Sequence, residues 1–159
     1  MKIDLICVGK IKENSLKELI QEYKKRISGY CDIDIIEVND ESIVDKPSKQ
    51  EIEIAKNKEG ERIIKKIKPH QYVIAFDLVK NQPNSPEYAE FLRKTFANYG
   101  ANITFVIGGS YGLSDEVKAR ANYSIGLSNM TFTHQMTRLI VLEQTYRAFK
   151  INNNEVYHK

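Results

Sequence analysis

The chain has 159 residues, of which 42% are hydrophobic and 28% are charged, with only 8 Gly and 4 Pro. This composition excludes a fibrous or disordered protein, and the length predicts a single domain over residues 1–159 with a core that needs no metal or disulfide. The 24 basic and 21 acidic residues leave a net charge of +3, which is too small to indicate a polyanionic partner by itself.

The N-terminal residues and the two cysteines predict a soluble cytoplasmic protein. Asp4 falls where a signal peptide would have an apolar stretch, and no apolar run approaches the ~18 residues of a membrane span. Cys7 and Cys31 lie in apolar runs without a Cys or His at metal-ligand spacing. We therefore expect buried thiols, no bound metal and no membrane partner.

Five short β-rich runs alternate with helical patterns along the chain. The predicted strands cover residues 3–8, 33–38, 72–78, 103–107 and 123–127. This alternation predicts an α/β fold with a mostly parallel sheet and helices on both faces.

Capping residues mark the starts of the predicted helices. Ser15 with Glu18 predicts a capping box for a first helix that ends near Gly29. Ser48 with Glu51 predicts another for a second helix that reaches toward residue 69, and its many charges indicate a solvated face. The remaining helices are predicted over residues 85–100, from residue 114 to before residue 122, and over residues 133–149.

The last predicted helix is apolar around most of its circumference at residues 139–142. A helix of this kind needs cover on two sides. In a chain this small, the second side is predicted to be another copy of the same chain, so we expect a homodimer.

Ligands in open α/β sheets gather beyond the carboxyl ends of strands, which directs attention to residues 76–78, 107–112 and 127–132. The sequence Gly-Gly-Ser-Tyr-Gly at residues 108–112 permits close approach of the backbone to a ligand or an ordinary tight turn. It matches neither the dinucleotide nor the Walker A pattern, and residues 9–12 also lack the dinucleotide fingerprint. These absences argue against an NAD enzyme and against the common Rossmann-type methyltransferase.

Polar residues near the C-terminus are the candidates for acid–base chemistry. His134 follows the 127–132 segment, where it would either line a ligand site or cap the last helix. Glu143 and Arg147 are four residues apart, in the order that favours an ion pair, although they could instead face a polar cleft. The position of His158, next to the C-terminal residue, would by itself assign it to a disordered tail.

Several segments together resemble the ribosomal RNA large subunit methyltransferase H family of the SPOUT superfamily. They are residues 105–113 (FVIGGSYGL), 127–132 (LSNMTF), 134–148 and 157–159 (YHK), and the resemblance spans the whole chain. The resemblance implies a homodimer, a deep trefoil knot in the C-terminal part of the sheet, and S-adenosylmethionine bound in that knot. It implies cofactor contacts from Phe76, Gly108, Leu127, Ser128, Asn129, Met130, Thr131 and Phe132.

The implied reaction is N3-methylation of a pseudouridine in the helix 69 loop of 23S rRNA on the assembled ribosome. In-line methyl transfer requires alignment and a proton acceptor, for which His158 is the first candidate and His134 the second. Tyr157 would stack on or hydrogen-bond the target base, and Arg147 would hold phosphate or pair with Glu143. The basic residues near the first loop and helix would contact phosphates or form a solvated face: Lys10, Lys12, Lys24, Lys25 and Arg26.

Two positions depart from the family pattern. Phe76 stands where Leu is frequent, and Asn154 stands where Gly is usual, but Asn tolerates left-handed backbone, so the turn is expected to persist. Two other functions stay open. One is a non-catalytic ribosome-associated RNA-binding dimer of the same fold, which would not bind S-adenosylmethionine. The other is a flavodoxin-like nucleotide-binding protein, which only the strand–helix alternation supports.

Overall fold

A five-stranded sheet organises the molecule, and the computed structural model describes residues 1–157. The strands are β1 (Lys2–Val8), β2 (Asp32–Val38), β3 (Tyr72–Phe76), β4 (Asn102–Ile107) and β5 (Tyr123–Ile125). They alternate with α1 (Asn14–Ile27), α2 (Lys49–Ile64), α3 (Ser85–Tyr99), α4 (Asp115–Arg120) and α5 (His134–Asn152). All strand pairings within this sheet are parallel, in the order β2-β1-β4-β3-β5, which confirms the predicted fold class. The knot stays a prediction.

The sheet buries an apolar cluster on each face. Successive residues of a strand point to opposite faces, so Leu5 belongs to the cluster under α1, α3 and α5, whereas Ile6 belongs to the one under α2 and α4. Cys7 and Cys31 are buried as predicted. Burial raises the pKa of the Cys7 thiol to about 12 and that of Cys31 to about 11.

Side-chain caps begin most of the helices. The predicted capping box of α2 is present, with Ser48 Oγ accepting from the Glu51 N–H at 3.2 Å and the Glu51 carboxylate accepting from the Ser48 N–H at 2.7 Å. The predicted box at Ser15 and Glu18 is wrong. Glu13, with an extended backbone, is the N-cap of α1, and its carbonyl already accepts the first helical hydrogen bond, from the Lys17 N–H at 3.0 Å.

Some predicted boundaries shift by a few residues. Strands β3 and β5 both end two residues early, since the Val79 N–H turns back to the Asp77 carbonyl at 3.0 Å and the Gly126 N–H donates to the Asn81 carbonyl at 2.8 Å, so both segments leave the sheet. Helix α2 ends at Ile64 rather than near residue 69, and α5 continues three residues beyond the prediction, to Asn152. Asn154 has a φ of 55°, so it holds the left-handed turn as expected.

The prediction that the charges of α2 are solvated is wrong for Glu59, which is only 7% exposed. Tertiary packing against the loop after β4 buries it, and helical periodicity alone does not reveal that neighbour. Within residues 1–157, no helix has the combination of length and apolarity that crossing a membrane requires.

Candidate functional site

A cavity of about 920 Å³ lies at the carboxyl ends of β3 and β4. Its walls come from the loops after β3, β4 and β5 and from the first turn of α5, so three segments distant in sequence meet there. This is the edge of a parallel sheet at which ligands bind. Of the residues predicted to contact the cofactor, Asn129 does not line this cavity. The others do: Phe76, Gly108, Leu127, Ser128, Met130, Thr131 and Phe132.

The loop after β4, residues 108–112, forms one wall and is called the glycine loop below. It folds back on itself, with the Gly112 N–H donating to the Gly109 carbonyl at 3.1 Å. A Cβ on Gly108 would lie 2.8 Å from the carbonyl carbon of Gly112, and Gly112 has a φ of 85°. Glycine is therefore required at both positions, and the loop presents its backbone to the cavity.

The loop after β5 is held in place by the loop after β3. The Gly126 N–H donates to the Asn81 carbonyl at 2.8 Å, and a Cβ on Gly126 would lie 2.3 Å from the Val79 carbonyl oxygen. Gln82 Nε2 donates to Asn129 Oδ1 at 2.8 Å. The Asn129 side chain therefore shapes the loop, which explains why it does not line the cavity.

Two charged lining residues, Glu13 and Lys118, were missed by the sequence analysis. Lys118 Nζ lies 3.4 Å from Asp77 Oδ2, so an ion pair joins α4 to the loop after β3. Both residues lie near segments that follow the carboxyl ends of strands, and that position in the sequence could have identified them as residues of the site. With this volume, apolar walls and a few polar groups, the cavity suits a ligand of nucleoside size or somewhat larger.

His134 lines the cavity from the first turn of α5. Its Nε2 would lie 3.2 Å from a Cβ placed on Gly9, so the imidazole packs directly against the loop after β1. Burial and then the charge of Arg138 lower the pKa of His134 from its ordinary value of 6.5, while Asp40 acts in the opposite direction. The imidazole is therefore neutral at neutral pH and able to accept a proton.

Arg138, one turn further along α5, supports this arrangement. It is 1% exposed, and its guanidinium donates to Glu37 Oε1 at 2.5 Å and to the Gly9 carbonyl at 2.9 Å. A buried charge is stable only when it is paired and hydrogen-bonded, and these contacts tie α5 to the ends of β1 and β2.

A second group of predicted residues, Glu143, Arg147 and Tyr157, forms what we call the C-terminal cluster. Glu143 Oε1 accepts from Arg147 Nη2 at 2.6 Å and from the Tyr157 hydroxyl at 3.2 Å, so the predicted ion pair is present. The Arg147 guanidinium lies 4.7 Å from the centre of the Tyr157 ring. The pKa of Arg147 is raised by its hydrogen bond to Glu143, and that of Tyr157 is raised chiefly by burial. His158 lies outside the described residues.

The two groups lie far apart on the same helix. Glu143 is nine residues beyond His134, which corresponds to about 13 Å along the helix axis. A second cavity of about 610 Å³ adjoins the first and shares Phe76, Leu127 and Phe132 with it. Gln144 lines this second cavity and donates to Glu143 Oε2 at 2.7 Å. The cluster itself lines neither of these two cavities.

Residues 1–158 match the family described as "Predicted SPOUT methyltransferase". Relatives from Clostridium novyi (strain NT) and Clostridioides difficile (strain 630) are each 50% identical to this chain over 159 residues, which covers all of both chains. Each is named "Ribosomal RNA large subunit methyltransferase H".

Solved structures share the fold at low sequence identity. A probable methylase family protein from Haemophilus influenzae Rd KW20 aligns with a TM-score of 0.53 and 17% identity, covering 99% of this chain and 70% of that one. A Legionella pneumophila protein, described as a methyltransferase in complex with the bound cofactor SAM, aligns with a TM-score of 0.52 and 13% identity. That alignment covers 93% of this chain and 66% of the other.

Proposed function

Since the chain belongs to the SPOUT methyltransferases, within the ribosomal RNA large subunit methyltransferase H family, we propose that it transfers a methyl group from S-adenosylmethionine to 23S rRNA. The proposed target is N3 of a pseudouridine in the helix 69 loop of the assembled ribosome, in the cytoplasm. The observation that carries the proposal is the single cavity where the loops after β3, β4 and β5 converge. The target itself comes from the family resemblance.

The residues around this cavity fit S-adenosylmethionine. The glycine loop and residues 126–132 offer backbone donors and acceptors for the adenine and ribose edges, and Phe76, Leu127 and Phe132 offer apolar walls. Met130 is 70% exposed, so it would cover the ligand from the rim. When bound, the cofactor supplies an electrophilic methyl group on a sulfonium centre.

The chain's own residues then have to align the target nitrogen and accept its proton. His134 is neutral and lies at the cavity, so it is one candidate for the proton acceptor. His158 stays the first candidate because of its place in the terminal motif. The Arg147 guanidinium would exchange Glu143 for a phosphate of the rRNA backbone, and its departure from the Tyr157 ring would leave that ring able to stack on the target base.

The distance between the cavity and the C-terminal cluster supports a homodimer. On α5, Met136 is 44% exposed, and Leu139 and Ile140 are half-buried, so part of its apolar surface remains available after α1 and α3 have packed. A two-fold related copy with an antiparallel α5 would bring the cluster of one chain to the cavity of the other. We therefore propose that each active site is composed of two chains.

Phosphate contacts are proposed for the basic residues around the loop after β1 and on α1. Lys10, Lys12 and Lys25 are exposed and therefore accessible to RNA. Arg26 is paired with Glu22 at 2.8 Å and would have to exchange that partner for a phosphate. Two copies of this modest basic patch would attract a ribosome more strongly than one.

The proposal is tested with the purified full chain, labelled S-adenosylmethionine and three substrates: whole ribosomes, separate large subunits and free 23S rRNA. We expect label in 23S rRNA only with whole ribosomes, at one pseudouridine, and cofactor binding by calorimetry in the absence of RNA. Cofactor binding without transfer to any substrate would reject the proposed rRNA target. No cofactor binding would favour the non-catalytic RNA-binding dimer instead.

A further inference from the structure

Two consecutive residues of α2 contact the segment that includes the glycine loop, although neither lines the cavity. The first is Glu59, whose side chain is almost fully buried. Its Oε1 accepts from the Glu41 N–H at 3.0 Å, which ties the loop after β2 to α2. A Cβ on Gly109 would lie 2.8 Å from Glu59 Oε2 and 3.3 Å from Oε1, so this carboxylate packs against the Gly109 backbone.

The second residue is Gly60, which lies against the other end of the same segment. A Cβ on Gly60 would lie 2.1 Å from Ser114 Oγ and 2.9 Å from Ser114 Cβ. Ser114 is 1% exposed, and its hydroxyl accepts from the Val117 N–H at 3.3 Å to cap α4. Consecutive residues of α2 therefore contact both the beginning and the end of the segment from Gly109 to Ser114.

Burying a carboxylate at this position costs free energy, because the group loses its contact with water. Burial is the main cause that raises the pKa of Glu59, and the charges of Asp40 and Glu41 act in the same direction. The hydrogen bond from the Glu41 N–H opposes them first and the charge of Arg62 second, but Arg62 also pairs with Glu41. Because an apolar residue would avoid this desolvation cost, the carboxylate is best explained by what it contacts, namely the Glu41 N–H and the Gly109 backbone.

We propose that Glu59 and Gly60 are positioning residues that set the shape of the glycine loop and thereby the affinity for S-adenosylmethionine. Helix α2 then determines cofactor binding from outside the cavity. This inference rests on the proposed function, because it takes the cavity beside the glycine loop to be the cofactor site.

The test compares the full-length chain with Glu59→Gln, Glu59→Ala, Gly109→Ala and the double variant Glu59→Ala/Gly109→Ala. Glu61→Ala is the matched control, since Glu61 is an exposed acid on the same helix. Calorimetry with S-adenosylmethionine measures Kd, and thermal unfolding shows which variants fold. Because residues outside a binding site typically change its affinity about 5- to 150-fold when they are coupled to it, we expect a rise of that order in Kd for Glu59→Ala and a smaller rise for Glu59→Gln.

Two further readouts separate positioning from general stability. At saturating cofactor, kcat on ribosomes should stay within about twofold of wild type for Glu59→Ala, since the proposed effect is on binding alone. The double variant should bind more tightly than Gly109→Ala, because removing the carboxylate makes room for the new methyl group. Rescue will be partial, as Val8 Cγ1 would also lie 3.1 Å from that methyl group.

Hydrogen exchange of the amides of residues 108–112, measured without ligand, keeps the two proposals distinguishable. We expect faster exchange in Glu59→Ala and no change in Glu61→Ala. Unchanged Kd and unchanged exchange in folded Glu59→Ala would overturn the inference and leave the proposed function intact. If wild type binds no S-adenosylmethionine, the proposed function fails, together with the affinity part of the inference, and exchange alone decides whether Glu59 shapes the loop. If Glu59→Ala does not fold, the same comparisons are made with Glu59→Gln.

Discussion

The cavity and the C-terminal cluster are built in different ways. Backbone and apolar side chains from three separate loops form the cavity, and glycines with no room for a Cβ set its shape. The cluster consists of charged and aromatic groups on the far part of α5 and just beyond it. The difference indicates that the loops of one chain enclose a cavity of nucleoside size with His134 in its lining, whereas the charged and aromatic groups proposed to contact RNA lie elsewhere on that chain.

Loss of the cluster should slow transfer without affecting cofactor binding. For Arg147→Ala we expect kcat/KM on ribosomes to fall roughly 10- to 150-fold, because a hydrogen bond to a charged group such as a phosphate contributes about 1.5–3 kcal/mol. The Kd for S-adenosylmethionine should stay within about twofold, because Arg147 does not line the cavity of its own chain and is proposed to bind RNA, not the cofactor, at the cavity of the other. Methyl transfer and calorimetry on the same preparation check both values.

The matched control is Arg93→Ala, which removes an exposed arginine from the Glu90–Arg93 pair of α3. It should change neither value, since exposed ion pairs contribute little. A large rise in cofactor Kd for Arg147→Ala would mean that the cavity and the cluster are not independent.

A change in the glycine loop should have the opposite pattern, with weaker cofactor binding as its direct effect. A methyl group on Gly108 would lie 2.8 Å from the carbonyl carbon of Gly112, and such overpacking costs about 1–3 kcal/mol. If that cost falls on the ligand-binding conformation, Kd for S-adenosylmethionine in Gly108→Ala rises roughly 5- to 150-fold. Calorimetry checks this value, and Gly29→Ala, where a Cβ would meet only the Arg26 carbonyl oxygen at 3.8 Å, is the control. Unaltered affinity in folded Gly108→Ala would reject the glycine loop as part of the cofactor site.

The smallest expected effect concerns the protonation of His134. Because its folded-state pKa lies below the ordinary 6.5, the folded protein binds fewer protons than the unfolded chain in the range just below that value. The free energy of unfolding should therefore fall as the pH drops through this range and recover above it. Imidazole NMR should give a midpoint below 6.5, and Asp40→Asn should lower it further, since Asp40 raises this pKa. A midpoint above 6.5 would contradict the described surroundings of His134.

Much of the cavity was predictable because its position follows from parallel topology. Once the strands were located, the segments after β3, β4 and β5 had to meet at one edge, and they do. The caps at Ser48, Ser114 and Thr133 depend on local hydrogen bonds, which a short sequence pattern encodes.

The remaining features depend on tertiary approach, which no local pattern encodes. Glu59 lies in a polar helix and resembles its solvated neighbours, so only its tertiary contacts, with the Glu41 N–H and with Gly109, distinguish it. The Asn129 side chain binds Gln82, a partner 47 residues away, instead of facing the cavity. The separation of Glu143 from His134, by contrast, follows from helix rise alone and divides the predicted catalytic residues into two groups.

The central claim is that each active site joins the cavity of one chain to the C-terminal cluster of another. It is tested most directly by mixing Gly108→Ala and Arg147→Ala chains under conditions that let subunits exchange, with cofactor and ribosomes no more concentrated than the wild-type Kd and KM, so that each variant alone transfers methyl groups slowly. With equal amounts, half of the dimers are mixed, and each mixed dimer has one site with an intact cavity and an intact cluster. We therefore predict recovery of about a quarter of wild-type methyl transfer to ribosomes. No recovery, with mixed dimers demonstrated by differential tagging, would contradict the claim. The whole reaction would then take place within one chain, with the second cavity and Gln144 connecting the first cavity to the cluster.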